Sequence, residues 1–341
     1  MRAVVIEEPG VVALREVDAP VCGPGEVVVR SRAAGVCRTD LEVLHGLLDR
    51  RWVRYPCVPG HEWSGEIAEV GEGVDGLSAG NRVVCEGMIP CGHCARCLVG
   101  ETNLCENYDQ LGFTRVGGYG ELVLAPARVV HRLPEHVSFA AGVLVEPASV
   151  VWRALERARL AEGEAVGVVG VGTLGSLAIV LARLAGPARV VAYGIREEEL
   201  ELARRLGADE AVDVSAGDPR LGELDLVLET AGAVPAVELA TRLVREGGRV
   251  VLLGIAGEGK TLAPLPADRI ALRDLELIGS VGYTSAAWAS VVALLAERRV
   301  DLSPIVTHRF PLEDFQRAFD LMENREGIVA KIVLEHVPPP G

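Results

Sequence analysis

At 341 residues, with 49% hydrophobic and 24% charged side chains, the chain has the composition of an ordinary globular protein and the length for two domains. Its net charge of −14 argues against a nucleic-acid partner, because no basic face offsets phosphate repulsion. No run of eighteen apolar residues appears and the opening MRAVVIEEPG does not read as a signal peptide, so a soluble cytoplasmic protein without membrane contact is expected.

In chain order, residues 1 to about 145 carry short alternating strands such as GEVVVRSRAAGV and SGEIAEVGEGV, punctuated by Gly, Pro and Asp. That is the pattern of an all-β or barrel-like domain. The same stretch contains Cys37 in GVCRTD, His61 and Glu62 in VPGHEWSG, and Glu146 in VLVEPAS. Thiolate, imidazole and carboxylate all bind zinc, and an incomplete protein shell leaves a place for water or substrate. Each residue alone also has a plainer reading: a buried cysteine, a structural histidine, a surface glutamate.

Between these fragments, Cys91, Cys94, Cys97 and Cys105 form C-x-x-C-x-x-C-x7-C in PCGHCARCLVGETNLC. Four thiolates that close together can occupy every corner of a tetrahedron about Zn2+, giving a closed structural site. Disulfides at this spacing would be strained, and eight cysteines in 341 residues is not the density of a disulfide scaffold. The others, Cys22, Cys37, Cys57 and Cys85, suit a reducing compartment. A closed site stabilises a loop but performs no reaction.

From about Gly163 the rhythm changes to apolar strand, glycine turn and helix: AVGVVG, LGSLAIVLARLAG, RVVAYG, REEELELARRLGA, DLVLET, VELATRLVREGG, RVVLLG. Alternating strands and helices predict a parallel sheet covered on both faces. The turn Gly170-Val171-Gly172-Thr173-Leu174-Gly175 is G-x-G-x-x-G placed between the first strand and first helix. That context predicts a dinucleotide site, with the pyrophosphate on free N–H groups at the helix start. The next strand ends Ala192-Tyr193-Gly194-Ile195-Arg196, with glycine where an NAD site usually has an acid. Gly194 removes a carboxylate that would repel a 2′-phosphate, and Arg196 can pair with that phosphate, which favours NADP(H) over NAD(H). The run Glu197-Glu198-Glu199 pulls the other way unless it forms a solvent-facing first helical turn. The last fifty or so residues return to mixed helix and strand, and VPPPG reads as a loose tail.

GVCRTD, GHE, the four-cysteine lobe, GGYGELV, VEPASV, GVGTLG, LETAG and GGRVVLLG occur in an order that resembles the zinc-dependent medium-chain dehydrogenase/reductase family, on its sorbitol and threonine dehydrogenase branch. The resemblance implies an α/β protein: a GroES-like β-barrel catalytic domain plus a doubly wound Rossmann domain, with the active site in the cleft between them. The domains would be residues 1–147 with a zinc lobe at about 85–110, 148–287, and a C-terminal return over 288–341. Carried over by position, Cys37, His61, Glu62 and Glu146 would hold a catalytic zinc, with Glu62 exchanging with water. Asp40 would orient His61. Thr39 would take the substrate proton, and Arg38 would meet the pyrophosphate. Where the family often has a relay histidine this chain has Glu42, with His45 a possible substitute one turn on.

The implied reaction is oxidation of a secondary alcohol to a ketone, or its reverse, on a polyol, sugar or aminocyclitol. Two segments, YPCVPGHEWSG and YDQLGFTRVGGYGE, are similar to cyclitol dehydrogenases such as 2-deoxy-scyllo-inosamine dehydrogenase. Trp52, Tyr55 and Glu86 are candidates for the pocket. Two zinc ions per chain and a homodimer or homotetramer, joined through the edge strand LELIGSV, are expected. Three rival readings are a metal-independent NADPH reductase of quinones or enoyl groups, a non-catalytic cofactor-binding scaffold, and a zinc-ribbon module. The metal fragments oppose the first, the intact ligand and threonine set the second, and the acidic charge and Rossmann half the third.

Overall fold

The structure is a computed structural model, and it describes residues 1–217, 219–255 and 267–336. The VPPPG tail lies outside the described residues. The chain divides into two compact units, one of Met1–Glu146, Tyr283–Glu326 and Lys331–Gly341, the other of Pro147–Gly282 and Gly327–Ala330.

In chain order the first unit opens with strands β1 (Arg2–Glu8), β2 (Val11–Glu16) and β3 (Glu26–Val36) and helix α1 (Arg38–Leu44). There follow β4 (Trp63–Val70), β5 (Arg82–Cys85), α2 (Ala95–Leu98), β6 (Leu122–Pro126), β7 (Val130–Arg132) and α3 (Phe139–Gly142). Helix α4 (Val145–Ala158) carries the chain into the second unit. There β8 (Ala165–Val169), α5 (Thr173–Ala182), β9 (Arg189–Gly194), α6 (Glu197–Arg205) and β10 (Glu210–Asp213) alternate. They continue as β11 (Leu224–Glu229), α7 (Val234–Leu243), β12 (Val244–Leu252), α8 (Ala267–Leu272) and β13 (Glu276–Gly279). The chain then returns to the first unit with α9 (Ser285–Ala296), β14 (Val306–Pro311), α10 (Phe315–Asn324) and β15 (Lys331–Glu335).

The barrel of the first unit turns on β3. Its first half pairs with β6 and its second half with β15, while β4 runs along its other edge with register shifts at Val28/Val29 and Ser31/Ala33. Those bulges bend the strand, so one 11-residue element serves three partners. Val27, Val28, Val29, Ala33 and Ala34 are buried along it. The strand ends at Val36, which places Cys37 at the N-cap of α1.

The second unit is a six-stranded sheet in the order β10-β9-β8-β11-β12-β13, and all of its pairings are parallel. Its central strands are buried nearly throughout, as a sheet covered on both faces requires. The order reverses beside β8. In open parallel sheets such a reversal is the point at which a ligand crevice can form outside the carboxyl ends of the strands. The predicted edge strand LELIGSV contains β13, which pairs with β12 alone among the described strands. Tyr283 to Ala287, read from the sequence as the end of the second domain, fall in the first unit. There Tyr283 is buried with its ring 4.9 Å from that of Trp288.

Candidate active site and metal centres

Cys91, Cys94, Cys97 and Cys105 bring their sulfurs within 4.8 Å of one another. None of the eight cysteines is in a disulfide. The backbone N–H groups of Cys91, Cys94 and Cys97 donate to Cys105 Sγ, Cys91 Sγ and Cys94 Sγ at 3.3, 3.3 and 3.5 Å. Such N–H donors favour thiolates. Hydrogen bonding, from Asn107 first, brings Cys91 down to about 5, while burial pushes Cys97 up to about 12. Four sulfurs this close together, with N–H donors around them, suit a zinc ion at their centre.

The second cluster is assembled from distant parts of the chain. Cys37, His61 and Glu62 place their ligand atoms within 4.8 Å of one another. Asp40, third residue of α1, accepts the Cys37 N–H at 2.9 Å, closing the helix start in the manner of a capping box. Its other oxygen, Oδ1, lies 3.5 Å from His61 Nδ1. Gly35 leaves room for Glu62, since a Cβ there would overlap the Glu62 carboxylate and stand 2.7 Å from Val143 Cγ1. Thr39 Oγ1 is 3.6 Å from Cys37 Sγ. Glu146, second residue of α4, stands outside the 4.8 Å set. Burial pushes its half-buried carboxyl up to about 7, with His61 drawing it down and Glu62 driving it up.

The pocket is rich in anionic donors, and the chain answers with cations. Burial alone would lower His61, yet Asp40 and Cys37 carry it well above the ordinary imidazole value. Lys331, 1% exposed, pairs with Glu62 and reaches the Val36 carbonyl oxygen at 3.4 Å. Burial lowers Lys331 and Glu62 raises it, with the net direction upward. A divalent ion would answer the same field, and the donor set of one sulfur, one nitrogen and one oxygen suits zinc with an open position.

Lys331 and Tyr119 were not singled out as site residues from the sequence. A signal for Lys331 existed: only two of the 34 basic residues are lysine, and one stands in the apolar run AKIVLE. Tyr119 lay in the quoted GGYGELV, but nothing in the spacing tied it to Asp40.

Other expected residues sit elsewhere. Arg38 projects from α1 with its side chain 77% exposed, 3.9 Å from Glu42. His45, the possible substitute relay group, pairs with Glu323 at 2.6 Å on the surface. Trp52 meets Tyr108 edge to face at 4.6 Å, and the Tyr55 hydroxyl donates to the Val43 carbonyl oxygen at 2.5 Å. Glu86 is buried, one oxygen 2.9 Å from His131 Nε2 and the other accepting from Ser285 Oγ at 2.7 Å. That leaves Glu86 committed to the protein rather than to a substrate.

In the second unit Gly170 follows β8 with φ +92°, and a Cβ there would stand 2.9 Å from the Ala231 nitrogen. Gly172 is the N-cap of α5 with no side-chain cap, and Thr173, Leu174 and Gly175 form the first turn. The uncapped N–H groups of that turn suit an anionic pyrophosphate. Gly194 ends β9 and Arg196 is the N-cap of α6. Arg196 Nη2 donates to the Gly327 carbonyl oxygen at 2.9 Å, and Nη1 lies 3.9 Å from Glu199. The run Glu197–Glu199 is not wholly a solvent-facing turn: Glu197 and Glu198 face solvent, but Glu199 is only 7% exposed. It falls on the face of α6 that buries Leu200, Leu202 and Ala203.

A barrel with a mixed zinc-type donor set and a Rossmann sheet with a phosphate turn together define a zinc-binding, nicotinamide-dependent dehydrogenase. The family model for the alcohol dehydrogenase GroES-like domain matches residues 23–135, and that for the zinc-binding dehydrogenase domain matches 173–297. L-threonine 3-dehydrogenase of Yersinia pestis (strain Pestoides F) is 32% identical over 332 residues, 94% of this chain and 95% of the relative. Galactitol-1-phosphate dehydrogenase from Escherichia coli superposes with a TM-score of 0.89 at 32% identity, covering 98% of this chain and 100% of that one. A Sinorhizobium meliloti 1021 protein described as a zinc-binding dehydrogenase and bound to NADP gives a TM-score of 0.90 at 30% identity, covering 98% and 99%. The chain belongs to the zinc-dependent medium-chain dehydrogenase/reductase family, and it is an oxidoreductase acting on small molecules. No helix among the described residues is long and apolar enough to cross a membrane.

Proposed function

We propose that the enzyme oxidises a secondary alcohol of a polyhydroxylated small molecule, a polyol, sugar or aminocyclitol, to the ketone, or reduces that ketone, with NADP(H) as hydride partner. The observation that carries this reading is the convergence of Cys37, His61 and Glu62 within 4.8 Å, with Thr39 alongside. Zinc bound there would supply Lewis-acid polarisation of the carbinol oxygen, and the nicotinamide would supply the hydride acceptor.

Cys37, His61 and Glu62 would hold the ion, with Glu62 able to give way to water, and Glu146 is assigned as the fourth donor although it stands outside the 4.8 Å set. Asp40 keeps the imidazole oriented. The Thr39 hydroxyl would accept the substrate proton as it gives its own to the next acceptor, either the Glu42 carboxylate or water by way of Glu62. Gly170, Gly172, Thr173, Leu174 and Gly175 cradle the pyrophosphate, with Arg38 assigned to a cofactor phosphate. Gly194 and Arg196 receive the 2′-phosphate. The names of two relatives support a secondary-alcohol substrate, since galactitol-1-phosphate and L-threonine both carry one, and the first of them is polyhydroxylated. Self-association into a dimer or tetramer is proposed along β13, which pairs with β12 alone among the described strands.

A second reading concerns the cofactor alone. Glu199, buried 3.9 Å from Arg196, neutralises part of the charge offered to a 2′-phosphate and so favours NAD(H). Zinc analysis of the purified protein, paired NADPH and NADH titrations by nicotinamide fluorescence, and a polyol and cyclitol screen test the proposal. Two zinc ions per chain, tighter NADPH and turnover of a polyol are expected. One zinc ion would revive the metal-independent reductase, and tighter NADH would assign the cofactor preference to Glu199.

A further inference from the structure

We propose that Tyr119 is a positioning residue for the mixed metal cluster: its hydroxyl holds the Asp40 carboxylate in the orientation that fixes the His61 imidazole. This rests on the reading of Cys37, His61 and Glu62 as metal ligands.

Tyr119 is fully buried, and its hydroxyl lies 3.0 Å from Asp40 Oδ2 and 3.1 Å from the Gly35 carbonyl oxygen. A phenol has one proton to give, and the anionic carboxylate is the stronger acceptor. Asp40 Oδ2 therefore takes two donors, the Tyr119 hydroxyl and the Cys37 N–H at 2.9 Å. Two donors on one oxygen stop the carboxylate from rotating and leave Oδ1 turned to His61 Nδ1 at 3.5 Å. Neither Oδ1 nor Nδ1 has a hydrogen-bond partner among the described residues, so the two buried atoms face each other. A proton held on Nδ1 toward that oxygen leaves the Nε2 lone pair for a metal ion.

The same segment grips the His61 loop from behind. The N–H groups of Gly117, Gly118 and Tyr119 donate to the carbonyl oxygens of Val58, Gly60 and Pro59 at 2.9, 2.7 and 3.1 Å. One short stretch, GGY, thus registers both the backbone leading into His61 and the carboxylate beside its ring. This gives the GGYGELV motif a task that its place in the sequence does not reveal.

The experiment is zinc release to an excess of a chromogenic chelator, followed on the whole enzyme. The wild type should release two zinc ions in separable phases, with the four-cysteine lobe as internal reference. Tyr119→Phe, which keeps the packed ring, should speed the other phase about tenfold, at the low end for outer partners of a metal ligand, and leave the lobe phase unchanged. Ser31→Ala is the control, because Ser31 Oγ donates to the Gly118 carbonyl oxygen at 2.7 Å and anchors the same segment without touching Asp40. It should leave both phases within about twofold of wild type. Unchanged release in Tyr119→Phe, or equal acceleration in Ser31→Ala, would overturn the positioning role. A wild type with only one zinc ion would instead overturn the underlying metal-site reading.

Discussion

The two sulfur-bearing clusters of this barrel are built in opposite ways. The four-cysteine lobe draws all its donors from Cys91–Cys105, with a single kind of ligand and its own backbone N–H groups around the sulfurs. The Cys37 cluster draws on the end of β3, the segment before β4 and the start of β15, with three kinds of donor and a buried lysine among them. Local, uniform donors make a closed site that stabilises a loop. Donors from distant elements can be held with one position open and with charged neighbours set around it, which is what a reaction needs.

The sharpest break of that comparison is Cys37→Ser. Turnover should fall about a thousandfold or more, the scale of several kcal/mol of lost charge stabilisation, while NADP(H) binding persists. Unchanged steady-state rates would remove the Cys37 cluster from the reaction. Next in size is Lys331→Met, which leaves Glu62 buried without its partner and should cost about 3–5 kcal/mol of stability, read by urea denaturation. A midpoint equal to wild type would mean that Glu62 is neutralised some other way.

Cys94→Ser should act on the lobe alone, with one zinc ion lost and a lower thermal midpoint at about 2–4 °C per kcal/mol. Retained zinc and an unmoved midpoint would contradict the lobe's structural role. The smallest effect lies outside both clusters: Arg196→Ala should weaken NADPH about tenfold and NADH little, the scale of one charge-assisted hydrogen bond, as measured by fluorescence titration. Equal losses for both cofactors would remove the 2′-phosphate from its role.

The same contrast explains what could be read from residues alone. The cysteine lobe and the G-x-G-x-x-G turn are local, so spacing displays them in full. Cys37 and His61 stand 24 positions apart, and the pairing that brings them together, Ala34 beside Trp63 and the Gly35 N–H on the Glu62 carbonyl oxygen, leaves no periodic trace, so only the ordered motifs of a known family joined them. Glu146 was carried over the same way, and it stands outside the 4.8 Å set. For Glu199 the sequence leaves two readings open, an acid facing the cofactor or a solvent-facing first helical turn. Its burial is set by α6 turning Leu200, Leu202 and Ala203 inward with it. Lys331 is invisible to pattern, since a strand's buried face gives no place to a cation unless an anion from elsewhere meets it.

Lys331 also gives the protein a built-in reporter of its own opening. With lysine found only at positions 260 and 331, amine-directed acylation has few side chains to attack, and the amine beside Glu62 is shielded in the folded barrel. Label appearing at position 331 would therefore time the moments when β15 parts from β3, without any probe being engineered into the chain.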